Sequence, residues 1–394
     1  MTALLALAAP ANSAAADPRS ADATRLAPGV RYETFSAPAS HGTVHGHLLT
    51  VDLDDPHVRV DLLRPAADGA DTRTPVSRLA DARGAVAAVN GDFFDIVEEE
   101  HPGVPATGSP VGPAVADGQP LKAAVPDGQR FGPTLVPGAT GEDVLSIGTD
   151  GAARLDRLRL VGTVAATAGT WELAGLNQYA LPVGGIGAYT SDWGPASRAR
   201  TACGTDQVRA AGCDADPYEV TVDHDRVTQV STTPGQGALP TGTVALIGRG
   251  AGADALRRLR PGDPVRVRHR LQTAGSVPPA FAIGGYPVLR DGIPLDGLDD
   301  TVAATRTAAG FGDRGRRLFL LSLDGATDSG SGLTLGELAR LLRTLGADGA
   351  VDLDGGGSST LVTRPPGAAH STVRNHPSGA PERPVPNGIG VLSS

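Results

Sequence analysis

The stretch from Arg316 to Leu353 constrains the fold more than any other part of the chain. Arg316–Leu323 (RRLFLLSL) is a continuous apolar run that stops at Asp324-Gly325 and reads as a buried strand. Thr334 can cap a helix, and Glu337 three residues on completes a capping box. Leu335, Leu338, Ala339, Leu342 and Leu345 then mark one apolar face, and Gly346 ends the helix. Ala350–Leu353 is a second buried strand and stops at Asp354. Strand, helix and strand within about forty residues predict a βαβ crossover whose two strands are parallel neighbours. Parallel strands present their C-terminal ends on one edge, where ligands collect. Asp324 and Asp354 should therefore share a rim, either as working carboxylates or as caps of adjacent turns.

The remaining chain is strand-rich. Tyr32–Leu63 alternates as strand, turn and strand, with His45 and His47 on one strand face as a surface pair or a ligand pair. A short helix over Pro75–Arg83 precedes a buried strand, Ala85–Val89, that runs into Asn90-Gly91-Asp92-Phe93-Phe94. Residues 98–142 are Pro/Gly-rich loops, and residues 143–275 carry turn signals every ten or so positions. The fold class expected is α+β: mixed β-sheets, with the βαβ unit in the C-terminal third carrying the active site. The expected organisation is a signal-like segment at 1–16, a flexible lead-in at 17–30, and one domain over 31–394. Within that domain, 143–275 forms a middle subdomain or insertion and 280–394 the catalytic core.

Composition limits the partners. A formal net charge of −9 argues against a non-specific grip on nucleic acid or an anionic membrane, so any phosphate must be met by local arginines. Residues 1–16 (MTALLALAAPANSAAA) combine a short apolar run with small residues, as in a secretory signal, and are too short to span a bilayer. No other stretch is long and apolar enough for stable membrane insertion. In an exported protein Cys203 and Cys213, ten apart, read as one local disulfide.

Asp354 is followed by GGGSST. Gly355, Gly356 and Gly357 let backbone approach a ligand closely, and consecutive N–H groups there can form an anion-binding nest. Ser358 and Ser359 add hydroxyl donors. The Lys of a Walker loop is absent, as is the frame of a nucleophile elbow. Arg306-Thr307 and Arg383, with Asn387 four residues on, offer guanidinium forks and an amide suited to a sugar phosphate diester.

In order along the chain, NGDFF (90–94), FAIGGYPVLRDG (281–292), RTAAGF (306–311), LFLLSLDG (318–325), GLTLGELARLLRTLGADGAVDLDGGGSSTLV (332–362) and ERPVPNGIGV (382–391) resemble the phosphodiester glycosidase family. The resemblance covers roughly residues 40–394 and is most specific at LDGGGSST with its preceding helix. It departs at Asp92 and Tyr286, where small residues are common in the family. The resemblance implies a secreted hydrolase that removes a sugar from a sugar-1-phosphodiester or cell-envelope glycan. Asp354, Asp324 and Asp92 are the catalytic candidates. Asn90, Arg306, Thr307, Gly355–Gly357, Ser358, Ser359, Arg383 and Asn387 are the substrate-binding candidates. No cofactor is expected; a divalent metal lacks support from ligand spacing. Two other readings compete: a non-catalytic glycan-binding module on the same fold, and a metal-dependent phosphodiesterase that cuts P–O.

Overall fold

A computed structural model of the protein describes residues 19–20, 23–66, 72–325, 332–378 and 382–394. The signal-like segment at 1–16 lies outside them. Part of the expected lead-in is regular structure, because Thr24–Ala27 pairs with the strand that follows and buries Leu26.

The strands that position the site are, in chain order, β1 (Val30–Ala39), β2 (Gly42–Asp52), β3 (Val58–Leu63), β4 (Ala87–Asn90), β5 (Asp143–Gly148), β6 (Ala153–Ala166), β7 (Gly169–Glu172), β8 (Val265–Thr273), β9 (Pro279–Gly284), β10 (Tyr286–Arg290), β11 (Thr307–Gly312), β12 (Arg317–Leu323), β13 (Gly349–Leu353), β14 (Leu361–Thr363) and β15 (Gly388–Ser393). The helices are α1 (Val76–Arg83), α2 (Ala251–Leu256) and α3 (Leu335–Thr344). No described helix is long and apolar enough to cross a membrane.

Among the described residues the largest sheet has nine strands and contains the run β1-β2-β12-β11-β13-β10. Its register corrects one expectation. β12 and β13 are parallel, as the crossover through α3 requires, but they are not neighbours: β11 lies between them and pairs antiparallel with both. The physical reason is a strand that sequence patterning left unassigned. Thr307–Gly312 is small and glycine-rich (TAAGFG), and it fits where backbones must pack closely. Asp324 and Asp354 still leave the sheet at the same edge, now separated by the Thr305-Arg306 segment that enters β11.

Period-two alternation gives this sheet two apolar faces. Leu49, Val51, Leu318, Leu320, Val351 and Leu353 pack on a five-stranded sheet containing β14-β4-β15-β3, against Val89, Leu361, Ile389 and Val391. Leu48, Leu321, Leu323, Ala308 and Ala350 face the other way, onto Leu335, Leu338, Ala339 and Leu342 of α3. The capping box of α3 forms as expected: the Thr334 hydroxyl accepts from Glu337 N–H (3.1 Å), and Thr334 N–H donates to the Glu337 carboxylate (2.9 Å). Burying each α3 leucine contributes roughly 1.5–3 kcal/mol.

The middle segment joins the rest through a shared sheet, through Tyr179, Tyr189, Trp193, Ala245 and Ile247 in the main core, and through the buried Arg200–Glu98 pair. β5 pairs with β9 from outside the segment, while β6 carries β7 and β8 away from the core. A separate five-stranded sheet includes Ile186–Tyr189, Thr243–Gly248, Tyr218–Asp223 and Arg226–Ser231 and packs with α2. Cys203 and Cys213 are joined in a disulfide. Closing so short a loop stabilises the fold by roughly 2–3 kcal/mol in the chain-entropy model. Cys203→Ser with Cys213→Ser is expected to lower stability by about that amount in urea unfolding; an unchanged unfolding free energy would show that the bridge does not stabilise the fold.

Candidate active site

Asn90 organises the rim. Its side-chain oxygen accepts from the Thr307 hydroxyl (2.8 Å) and from Thr360 N–H (3.0 Å), and its amide donates to the Asp354 carbonyl (2.6 Å). The residue is fully buried. Asp354 N–H in turn donates to the Gly91 carbonyl (2.9 Å). Asn90 and Thr307, expected to touch substrate, are thus bonded to each other and to the chain inside the protein. Their effect on the site is to fix where Asp354 stands.

Beyond this clamp lies a cavity of about 340 Å³, inside the usual range for small-molecule sites. Phe93, Phe94, Ile96 and Phe131 form an apolar wall, and Asp354, Gly355, Gly356, Arg306 and Arg383 a polar one. The glycine turn is tighter than an open nest. Gly356, Ser358 and Ser359 N–H donate to the carbonyls of Thr305 (2.9 Å), Gly355 (3.1 Å) and Gly356 (3.2 Å), so these donors are committed internally. The glycines are needed for space instead. A Cβ on Gly355 would collide with the Thr305 carbonyl, and one on Gly357 with the Arg383 guanidinium. Gly356 adopts φ +57° with nothing near its missing Cβ, so it presents bare backbone to the cavity.

The two arginines differ. Arg306 is spent internally: it donates to the carbonyls of Leu333 (3.0 Å) and Val302 (3.2 Å) and pairs with Asp352 (3.4 Å). Arg383 donates to the Ser358 hydroxyl (3.2 Å) and is half-buried at the cavity wall. Of the arginines lining the cavity, it is the better placed to meet an incoming anion.

Burial pushes the Asp354 carboxyl up to about 6, and the nearby charge of Asp92 adds to the shift. The Ser358 hydroxyl, Arg383 and Gly355 N–H oppose it. Burial pushes Asp352, two residues back on the same strand face, up to about 7, against the pull of Arg306. Asp352 was not singled out from sequence; the available signal was an acid inside an otherwise apolar strand (AVDLD). Asp92 lies fully buried behind the site, raised by burial, with its carboxylate accepting from Gly112 N–H and its own N–H donating to Asn387 (3.0 Å). Lys122, also unassigned from sequence, sits fully buried in the field of Asp92, and burial pushes it down to about 7. Its ammonium donates to the carbonyls of Val111 (3.3 Å), Gly112 (3.0 Å) and Ala123 (2.7 Å).

Asp324 does not line this cavity. Its carboxylate accepts from His376 N–H (2.8 Å) and lies 3.1 Å from both the His47 and the His376 rings. Although burial opposes it, these bonds hold the group at about 2. His47 is therefore the inner partner of Asp324, while His45 points out to Ser36 (2.9 Å). One further grouping, His101 with Cys203 and Cys213, has metal-like spacing, but both sulfurs are consumed by the disulfide.

The model of the phosphodiester glycosidase family matches residues 216–392. The matched region supplies Arg306, Asp352, Asp354 and Arg383, whereas Asn90, Asp92 and the phenylalanine wall come from the preceding part of the chain. No curated protein matches the sequence. Two solved structures share the fold. A hypothetical protein from Synechocystis superposes with TM-score 0.69 at 20% identity over 93% of this chain, which spans 62% of that one. A Burkholderia pseudomallei K96243 protein described as a candidate exported protein superposes with TM-score 0.70 at 21% identity over 95% of this chain and 96% of the other. The zebrafish N-acetylglucosamine-1-phosphodiester alpha-N-acetylglucosaminidase catalytic domain, auto-inhibited by its pro-peptide, aligns at 16% identity over 97% of this chain and 89% of its own, with TM-score 0.46.

A carboxyl whose pKa is raised by folding stabilises the native state below its unfolded pKa, and that contribution is lost as pH rises through the folded value. For Asp354 the window runs from the usual carboxylate range to about 6. Asp354→Asn should therefore gain on the parent protein between pH 4.5 and pH 8, by about 1–3 kcal/mol in chemical unfolding. A stability difference that does not change with pH would contradict the burial of this charge.

Proposed function

We propose that the chain is a glycosidase that hydrolyses a sugar from a sugar-1-phosphodiester, with Asp354 at the anomeric centre. The observation that carries this reading is a carboxyl poised near 6 beside an available guanidinium, on the polar wall of a cavity whose other wall is aromatic. The apolar face of a sugar ring suits the phenylalanine wall, and a phosphodiester suits Arg383. In its ionised form Asp354 takes a proton from water as the water oxygen bonds to the anomeric carbon. The bond from that carbon to the phosphate oxygen breaks, and its electron pair leaves on the phosphomonoester, whose charge Arg383 stabilises. A phosphate leaves without needing a proton, so one base near the operating pH is sufficient. Asp324, held ionised outside the cavity, acts on loop position rather than on the reacting atoms.

We read the protein as exported. A disulfide supports this, since such bonds persist in oxidising compartments, as does the signal-like character of residues 1–16.

The test is product analysis on a panel of UDP-sugars and alkyl sugar-1-phosphodiesters. Free reducing sugar with a phosphomonoester is expected, and Asp354→Asn should reduce kcat by about 10²-fold or more. Asp254→Asn, in an exposed surface pair with Arg257, should change little. Sugar-1-phosphate as the product, or full turnover by folded Asp354→Asn, would overturn the reading. Because the base must be deprotonated, kcat/KM should rise with pH to a plateau above about 6. Arg383 is one of the groups that pull Asp354 down. Arg383→Gln should therefore move that midpoint to higher pH as well as slow turnover; an unmoved midpoint would separate Arg383 from Asp354.

A further inference from the structure

The outer face of β6 and β8 carries a row of arginines that the proposed reaction does not use. Arg266, Arg268 and Arg270 alternate along β8 and are all exposed, while Val265, Val267 and Leu271 between them turn inward to a separate apolar cluster. Register with β6 sets Gln272 opposite Arg159, Arg270 opposite Val161, Arg268 opposite Thr163 and Arg266 opposite Ala165. Directly opposed residues share a face, so Arg159 extends the same row. Alternate residues on a strand stand roughly 6.6–6.8 Å apart, which makes a regular ladder of fixed positive charge.

Charge of this kind on an edge strand discourages unwanted pairing, but that task needs neither a single sign nor the absence of counter-acids. Among the described residues, Arg266, Arg268 and Arg270 enter no ion pair, and Arg270 donates to Gln272 (3.4 Å). The acids near this face lie at the Arg159 end and on β7: Glu142 is in the field of Arg159, Asp143 is paired with Arg157, and register sets Glu172 opposite Thr163. This concentration stands out on a chain of net charge −9.

We propose that this face docks a polyanionic glycan whose repeating units carry phosphate. Spaced guanidinium groups match spaced phosphates, and binding releases counterions from the polymer. Single-stranded nucleic acid would satisfy the charge equally, but its binding surfaces also offer aromatic rings for base stacking. Among the described residues Trp171 of β7 is the aromatic side chain at the margin of this face, and it lies opposite Val164 and packs partly on the inner cluster, so no row of rings follows the arginines. The choice of a phosphoglycan over other polyanions rests on the proposed glycosidase reading, since a docked polymer would hold many scissile bonds at high local concentration near the enzyme.

The full chain should be titrated with a synthetic hexamer of 6-linked mannosyl phosphate, with methyl mannosyl phosphate, and with an oligothymidylate of equal charge. The hexamer should bind at least about tenfold more tightly than the monomer, with an affinity that falls steeply with salt. Arg266→Gln, Arg268→Gln and Arg270→Gln combined should remove that advantage, while turnover of small sugar phosphodiesters and the unfolding midpoint stay as in the parent. Arg268→Gln alone, at the centre of the row, should give a partial loss. Equal binding of hexamer and monomer, or unchanged hexamer binding by the triple variant, would overturn the proposal. So would oligothymidylate binding as tightly as the hexamer. Hexamer binding without hydrolysis of any sugar phosphodiester would leave the docking face standing and remove the glycosidase reading.

Discussion

The buried Asn90 amide joins the two halves of the architecture. β4, which ends at Asn90, belongs to the five-stranded sheet, whereas Thr307 opens β11 in the nine-stranded one. One side chain holds both, and its third bond fixes the carbonyl of Asp354. A buried amide left unpaired would lose its hydration without return, so losing any of the three bonds carries a penalty. The glycine turn, the Ser358 hydroxyl and Arg383 are all placed relative to that point. Removing Asn90 would therefore disturb the site without removing any group from the cavity.

Around the clamp, two aspartates from one sheet edge are driven in opposite directions. Asp324 keeps two histidines and a backbone N–H and sits at about 2. Asp354, beside the buried Asp92, sits at about 6. Burial acts on both; the difference is in partners. Environments that push paired carboxyls apart are a recurring way to assign distinct tasks to one chemical group. The buried pair Asp352 and Arg306 lies on the same face as Asp354 and contributes further negative charge whenever Asp352 ionises. Burying so many ionisable groups works against stability, and it suits the proposed reaction, in which Asp354 changes charge near neutral pH.

Much of this was legible in the sequence because it is local. The capping box at Thr334 and Glu337, the apolar face of α3, the strand that ends at Asp324 and the Cys203–Cys213 pair each follow from residues within a few turns of one another. The strand order was not. Nothing in TAAGFG announces that it will lie between β12 and β13, since small residues carry little patterning and register is set by distant partners. For the same reason Arg306 read as a free cation although Leu333, Val302 and Asp352 occupy it. The glycine run reads in sequence as a close approach to a ligand, but the Gly356 N–H turns to the Thr305 carbonyl and the Ser358 and Ser359 N–H groups turn back onto the run itself. Asp352 could have been found by asking why an acid interrupts a buried strand.

The claim that carries the account is that water is delivered to carbon rather than to phosphorus. Hydrolysis of a sugar-1-phosphodiester in water enriched in oxygen-18, followed by mass spectrometry of both products, tests it without reference to any variant. The account predicts the heavy oxygen at the anomeric position of the released sugar and an unlabelled phosphomonoester. Label in the phosphate, with an unlabelled sugar, would mean attack at phosphorus and would contradict the assignment of Asp354 to the anomeric centre.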